Sequence, residues 1–338
     1  MKTAHAFVSL AATLAIGGSA CAQTAPQVYG VLDLWGGRSQ ASGERGTPVV
    51  GNGGLQTSFL GVGGAEALGG GTQAIYAIEG YLQVDSGAAG RTPTDAMFAR
   101  NAFVGIQGKA GELKIGRILN PLFVATAQAN PFGGSIRLAP LLAQIWSPQM
   151  GRAVSGDTSW DNVVSYTTPA VGGVRFAVLA GLGETSDSGA THNLNATLGY
   201  SAGRTMLVAS AQRVRVGPGL AAVGKSEQRT WFVGASHDLG RVKLFGSYDL
   251  ADSDGPDLQA RTSQAGVAIP AAGGSIMASW ARTRTDAGKA MPSRRDTGAA
   301  GYDLPLSKRT DVYAVAQCDK LTGNAGARTY ALGIRHRF

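Results

Sequence analysis

Residues Ala331–Phe338 read ALGIRHRF. Together with Tyr330, one parity carries Leu332, Ile334, His336 and Phe338, and the other carries Ala331, Gly333, Arg335 and Arg337. Successive side chains of an extended strand point to opposite faces. This stretch therefore has an aliphatic and aromatic face, broken only at His336, and a face with two arginines. Terminal residues usually fray unless something ties them down. Alternation carried through to a closing phenylalanine reads instead as a strand with an obligatory partner. Arg335 and Arg337 then need water on their side, while Tyr330, Leu332, Ile334 and Phe338 need an apolar environment on theirs.

The same alternation recurs throughout the chain. In Arg241–Leu250, RVKLFGSYDL, Val242, Leu244, Gly246 and Tyr248 alternate with Lys243, Phe245, Ser247 and Asp249. In Gly274–Thr283, GSIMASWART, Ile276, Ala278 and Trp280 alternate with Ser275, Met277 and Ser279. No stretch shows helical periodicity, and no uninterrupted apolar run of about 20 residues follows the leader. Sixteen alternating segments can be marked, from QVYGVLDLWG (27–36) to ARTYALGIRHRF (327–338). Their connectors alternate between short, as in KA and AG, and long, as in 37–54, 85–96 and 214–227. The longest covers about residues 118–160. Short turns at one end and long loops at the other are the pattern of an up-and-down sheet in an outer membrane. A bilayer admits only helices or closed barrels, because every backbone polar group must be paired. The expected fold is all-β: a 16-stranded antiparallel transmembrane β-barrel, with Tyr29, Trp35, Tyr81, Tyr248, Trp280 and Tyr330 in aromatic girdles. A soluble sandwich or propeller would share the alternation, but would have no need of the two connector classes.

Composition bounds the alternatives. Charged residues make up 15% of the 338-residue chain, against about 25% in typical globular domains. Glycine is abundant at 50 residues, and the hydrophobic share is an ordinary 44%. The formal charge is +8, but no run of five or six like charges exists, which argues against nucleic acid as a partner. Residues 1–22 read as a cleaved signal peptide: Lys2, an apolar run from Ala6 to Ile16, and the small residues ACA before Gln23. A lipoprotein leader acylating Cys21 is the competing reading. With Cys318 as the only thiol beyond the leader, no internal disulfide is expected, and no metal or cofactor motif occurs.

YGVLD (29–33), GAEALGGGTQAIYAIE (64–79), RNAFVGIQGKAGELKIGR (100–117), NPFGG (130–134), DNVVSYTTP (161–169), YDLPLSKRTDVYA (302–314) and LGIRHRF (332–338) resemble, in order, the trimeric general porins of Gram-negative bacteria, especially those of β-proteobacteria. The resemblance implies a homotrimer in the outer membrane and a third loop folded into the lumen as a constriction. It also implies acids on that loop facing arginines on the wall. Here the loop holds no Asp or Glu from Ile118 to Gly156. The strand-two pattern Ser-Arg-x-Gly reads Ser58-Phe59-Leu60-Gly61, without its arginine. Arg100 matches a wall arginine of the family pattern, Arg117 matches the Gly-Arg end of its fifth strand, and the loop contributes Arg137 and Arg152.

These four arginines are the expected constriction lining, giving a weak transverse field and a net positive channel that favours anions. The alternative is that Arg137 and Arg152 face the outer vestibule or pair with Asp157 and Asp161. The terminal strand, through Tyr330, Leu332, Ile334 and Phe338, resembles the signal read by the outer-membrane barrel assembly machinery. Outer-membrane lipid and lipopolysaccharide complete the expected partners. No Walker A, G-x-S-x-G or H-E-x-x-H sequence occurs, so an enzyme is not expected. The function expected is passive diffusion of small hydrophilic solutes and ions. The alternative is a surface adhesin or structural barrel without an open pore.

Overall fold

The computed structural model describes residues 25–184, 192–215, 220, 224–288 and 291–338. The expected leader, residues 1–22, lies outside the described residues. Among the described residues the sheet contains eighteen strand segments, two of them short accessories, which leaves sixteen barrel strands. They are β1 (Gln27–Ser39), β2 (Phe59–Gly69), β3 (Thr72–Gln83), β4 (Asn101–Gly108), β5 (Gly111–Leu119), β6 (Ser159–Thr167), β7 (Val174–Gly181), β8 (Asn193–Ala202), β9 (Thr205–Val214), β10 (Gln228–Asp238), β11 (Lys243–Ser253), β12 (Leu258–Ala271), β13 (Gly274–Asp286), β14 (Ser293–Pro305), β15 (Thr310–Leu321) and β16 (Ala327–Arg337). Each is antiparallel to its neighbour in sequence.

The quoted stretch closes the ring. β16 pairs with β1 from Val31 opposite Arg337 to Arg38 opposite Tyr330. Gly30 and Phe338 exchange backbone hydrogen bonds of 3.2 Å in both directions. Closure leaves the barrel no open edge to pair with another chain. The segment expected to be a plain loop over 37–54 is more ordered than that. β1 runs on to Ser39, and Thr47–Asn52 folds back as an accessory strand against its upper half. Asp33 explains the fold-back. Its carboxylate accepts backbone N–H bonds from Gly54, Leu55 and Gln56 at 3.0, 2.9 and 2.8 Å and the Tyr313 hydroxyl at 2.5 Å.

The two faces divide as the alternation requires. Val104, Leu198, Val233, Ile276, Trp280 and Leu332 are exposed on the outer face, whereas Gln212, Thr230, Gln264, Thr297 and Gln317 are covered on the inner one. The connector between β5 and β6 carries two helices, α1 (Pro121–Gln128) and α2 (Pro140–Trp146). Each starts at a proline, whose missing N–H is unneeded at the first helical position. Asn120 caps α1 by accepting the Leu122 N–H at 2.9 Å. All seven residues of α2 are buried.

Candidate functional site: the channel interior

The β5–β6 connector packs on the inner wall. The Asn120 amide donates to Gln212 Oε1 at 2.9 Å, and Ser135 Oγ donates to the Gly54 carbonyl at 2.6 Å. Gln144 donates through Nε2 to the Ala281 carbonyl at 3.0 Å and Thr297 Oγ1 at 2.8 Å. Gln317 donates to the Leu138 carbonyl at 3.2 Å, and Arg295 donates to the Met150 carbonyl at 2.6 Å. These partners lie on β9 and β13–β15 and beside β1, so the segment crosses the barrel from β5.

Leu122, Leu138, Leu141, Leu142, Ile145 and Trp146 form one apolar cluster with wall residues Trp35, Phe232, Met277, Tyr313 and Val315. Two glycines of the inner parity seat it. A Cβ on Gly234 would lie 2.6 Å from Ala129 Cβ, and one on Gly266 would lie 2.7 Å from Pro131 Cδ. The connector thus packs against the arc from β9 through β16 to β1. The opposite arc borders a cavity of about 270 Å³ on its β5–β9 side, lined by Lys114, Ser165, Arg175, Thr197 and the α1 residues Pro121, Val124 and Gln128.

The four arginines expected from the sequence occupy different environments. Arg100 forms an ion pair with Glu79 and lies 4.1 Å over the Phe59 ring. Phe59 stands where the family pattern has an arginine. Glu79 also accepts the Tyr29 hydroxyl at 2.7 Å, so the charge of Arg100 is compensated on the inner wall.

Arg117 sits at a β-bulge opposite Ala102, on the parity of the exposed Leu113 and Ile115. It pairs with Asp157 at 2.9 Å and Asp161 at 2.6 Å. Asp157 is also held by Arg91 at 2.9 Å. Burial pushes the Asp157 carboxyl up, but Arg91 and Arg117 outweigh it and the net shift is downward. Arg152 donates to the Gly156 carbonyl and feels Asp157.

Arg137 reaches channel water but is enclosed by the barrel, with Asp85 as its countercharge at longer range. Burial pulls the pKa values of Arg137 and Arg152 down, yet a guanidinium stays charged at neutral pH.

Two further charged residues with no motif in the sequence lie on the inner face. Arg175, on β7, is exposed to the cavity, and like Arg137 it forms no ion pair among the described residues. Asp249, on β11, is fully buried with neither carboxylate oxygen hydrogen-bonded. Parity alone places both side chains on the inner face, and that was the signal available. The remaining inner acids are paired: Glu112 with Lys114 at 2.6 Å, Asp319 with Arg295 at 2.8 Å, and Asp303 and Asp311 with Arg335 at 3.2 and 2.9 Å.

A family profile described as Gram-negative porin matches residues 8–324. The chain belongs to the Gram-negative porin family. Among curated proteins, this porin is 27% identical over 321 residues to outer membrane porin protein 32 of Delftia acidovorans, covering 89% of this chain and 86% of that protein. It is 24% identical to an outer membrane porin protein of Bordetella pertussis, covering 97% and 99% of the two chains. Its fold matches an anion-selective porin from Comamonas acidovorans with a TM-score of 0.77 at 22% identity, covering 93% and 99%. It also matches the trimer form of OmpT of Vibrio cholerae, with a TM-score of 0.65 at 14% identity. The protein is an outer-membrane porin channel.

Proposed function

We propose that this porin passes small hydrophilic anions in preference to cations, by passive diffusion and without catalysis. The observation that carries the reading is the asymmetry of unpaired charge. Each carboxylate on the inner face of the barrel strands is in an ion pair, accepts N–H bonds as Asp33 does, or is sealed as Asp249 is, and Asp85, in the connector after β3, meets Arg137 only at longer range. Arg137 and Arg175 remain uncompensated at close range. The loop over about 118–160, which carries no acid before Asp157, acts as the constriction. Of the four arginines expected to line it, Arg137 contributes open charge, while Arg100 is compensated by Glu79, Arg117 by Asp157 and Asp161, and Arg152 lies near Asp157. The anion selectivity of the Comamonas acidovorans structural relative supports the same reading.

The working unit is a homotrimer. A shallow outer-face cavity of about 490 Å³ lined by Gly36, Ala300, Ala314, Ala316, Tyr330 and Leu332 supports a close-packed seam there. Residues 1–22 direct export, and Tyr330, Leu332, Ile334 and Phe338 present the assembly signal.

The test is the reversal potential across a planar bilayer in a KCl gradient. The expected sign is that of a chloride-preferring channel. Arg137→Gln with Arg175→Gln removes two charges, each worth about 1 kcal/mol to an ion 4 Å away in water, or about fivefold in relative permeability. A cation-preferring parent channel overturns the proposal, and an absence of conductance favours the closed-barrel alternative.

A further inference from the structure

Arg261, Arg284 and Arg294 lie directly opposite one another on three neighbouring strands. Arg261 of β12 faces Arg284 of β13, and Arg284 faces Arg294 of β14. All three are exposed. They share the outer parity of Ile276 and Trp280, which are 46% and 40% exposed. They sit at the long-loop ends of their strands, the extracellular end of an outer-membrane barrel. Residues directly opposite on one sheet face have Cβ atoms about 5 Å apart, and like charges placed so are destabilising. Neither Arg261 nor Arg284 forms an ion pair among the described residues. Asp296 serves Arg294 at 2.9 Å and Arg282 at 2.7 Å at once. Asp252 and Asp286 stand one step further out and pair with neither Arg261 nor Arg284.

The row also has a defined depth. Its register continues through Leu250 to Trp231, which is 59% exposed. Directly below, Arg282 lies 4.8 Å over the Trp280 ring. Tryptophan rings collect at the level of lipid headgroups. Three guanidinium groups stacked at that level offer a comb of donors matched to phosphate oxygens.

We propose that Arg261, Arg284 and Arg294, flanked by Arg282, form a docking site for the phosphates of an outer-leaflet glycolipid. Bound phosphate supplies the countercharge that the sheet itself withholds, and it fixes one lipid against the wall of β12–β14. The site lies on the lipid side and is independent of the pore reading, resting only on the outer-membrane barrel.

The test uses the purified full-length protein, delipidated in neutral detergent, with its thermal transition followed by tryptophan fluorescence. Bisphosphorylated lipid A is expected to raise the transition. Dephosphorylated lipid A and inorganic phosphate are expected to leave it unchanged. In Arg261→Gln/Arg284→Gln/Arg294→Gln the lipid A response is lost, while the lipid-free transition is equal to or higher than the parent's, because the like-charge row is gone. A charge-matched control at the short turns, Arg204→Gln/Arg241→Gln/Arg309→Gln, keeps the response. The single variant Arg284→Gln loses part of it and guards against misfolding of the triple. Equal stabilisation by dephosphorylated lipid A, stabilisation by inorganic phosphate alone, or an unchanged response in the triple variant each overturns the proposal. Conductance of the triple variant is expected to match the parent, so this test and the selectivity test fail separately.

Discussion

Asp157 ties two loops to the wall. Arg91, from the connector after β3, and Arg117, at the end of β5, both close on its carboxylate. Its pKa is held below the ordinary carboxylate value, so its contribution to stability is complete above that value, near pH 4, and is lost as pH falls through the lower folded value. Asp157→Asn is expected to cost about 2 kcal/mol at neutral pH, the scale of charge-assisted hydrogen bonds. The difference between the two proteins should shrink to nothing in strong acid, as read from thermal transitions across a pH series. A constant difference at every pH would remove the carboxylate from this role. At this scale the sequence is only half readable. Arg100 and Arg117 can be picked out by resemblance, but their partners cannot. Glu79 meets Arg100 through the register of β3 and β4, and Asp157 meets Arg91 across 66 residues of chain.

The β5–β6 connector holds its place by fit. Gly234 and Gly266 lack the atom that would collide with Ala129 and Pro131. Gly266→Val is therefore expected to push the connector off the wall of β12 while leaving the strands paired. Overpacking of this kind costs about 1–3 kcal/mol. Single-channel conductance should change or become noisy, and protease should cut between residues 121 and 146. A variant with parental conductance and protease resistance would mean the connector is anchored elsewhere. The connector's length marks it as special in the sequence, but its helices are invisible there. At eight and seven residues they are too short to display a period, and burial of α2 on all sides erases any polar face. The seating glycines were equally hidden, because a glycine on the inner parity of a strand looks the same whether it faces water or a packed loop.

The sixteen strands were legible because the barrel faces two solvents. Lipid outside and water inside impose a period of two on the strands, broken only locally, as at the bulge that holds Arg117. A charge on the two faces should accordingly have opposite fates. Val233→Arg, on the outer face, is expected to cost about 2–4 kcal/mol near the midplane. Thr197→Arg, on the inner face beside the cavity, is expected to leave stability nearly unchanged and to move the reversal potential further toward that of an anion channel. Denaturant titration in lipid vesicles together with bilayer recordings reads both. Equal destabilisation by the two would contradict the assignment of faces.

The uneven filling of the barrel has a consequence for how such a channel can change over time. Where the β5–β6 connector packs between β9 and β1, the inner wall belongs to a protein interior, and a new charge there meets packed leucines and a tryptophan. On the β5–β9 side, Lys114, Ser165, Arg175 and Thr197 border open space instead. A lineage altering what it admits therefore has a limited stretch of wall to write on. The stretch under the connector is kept blank by the need to fold.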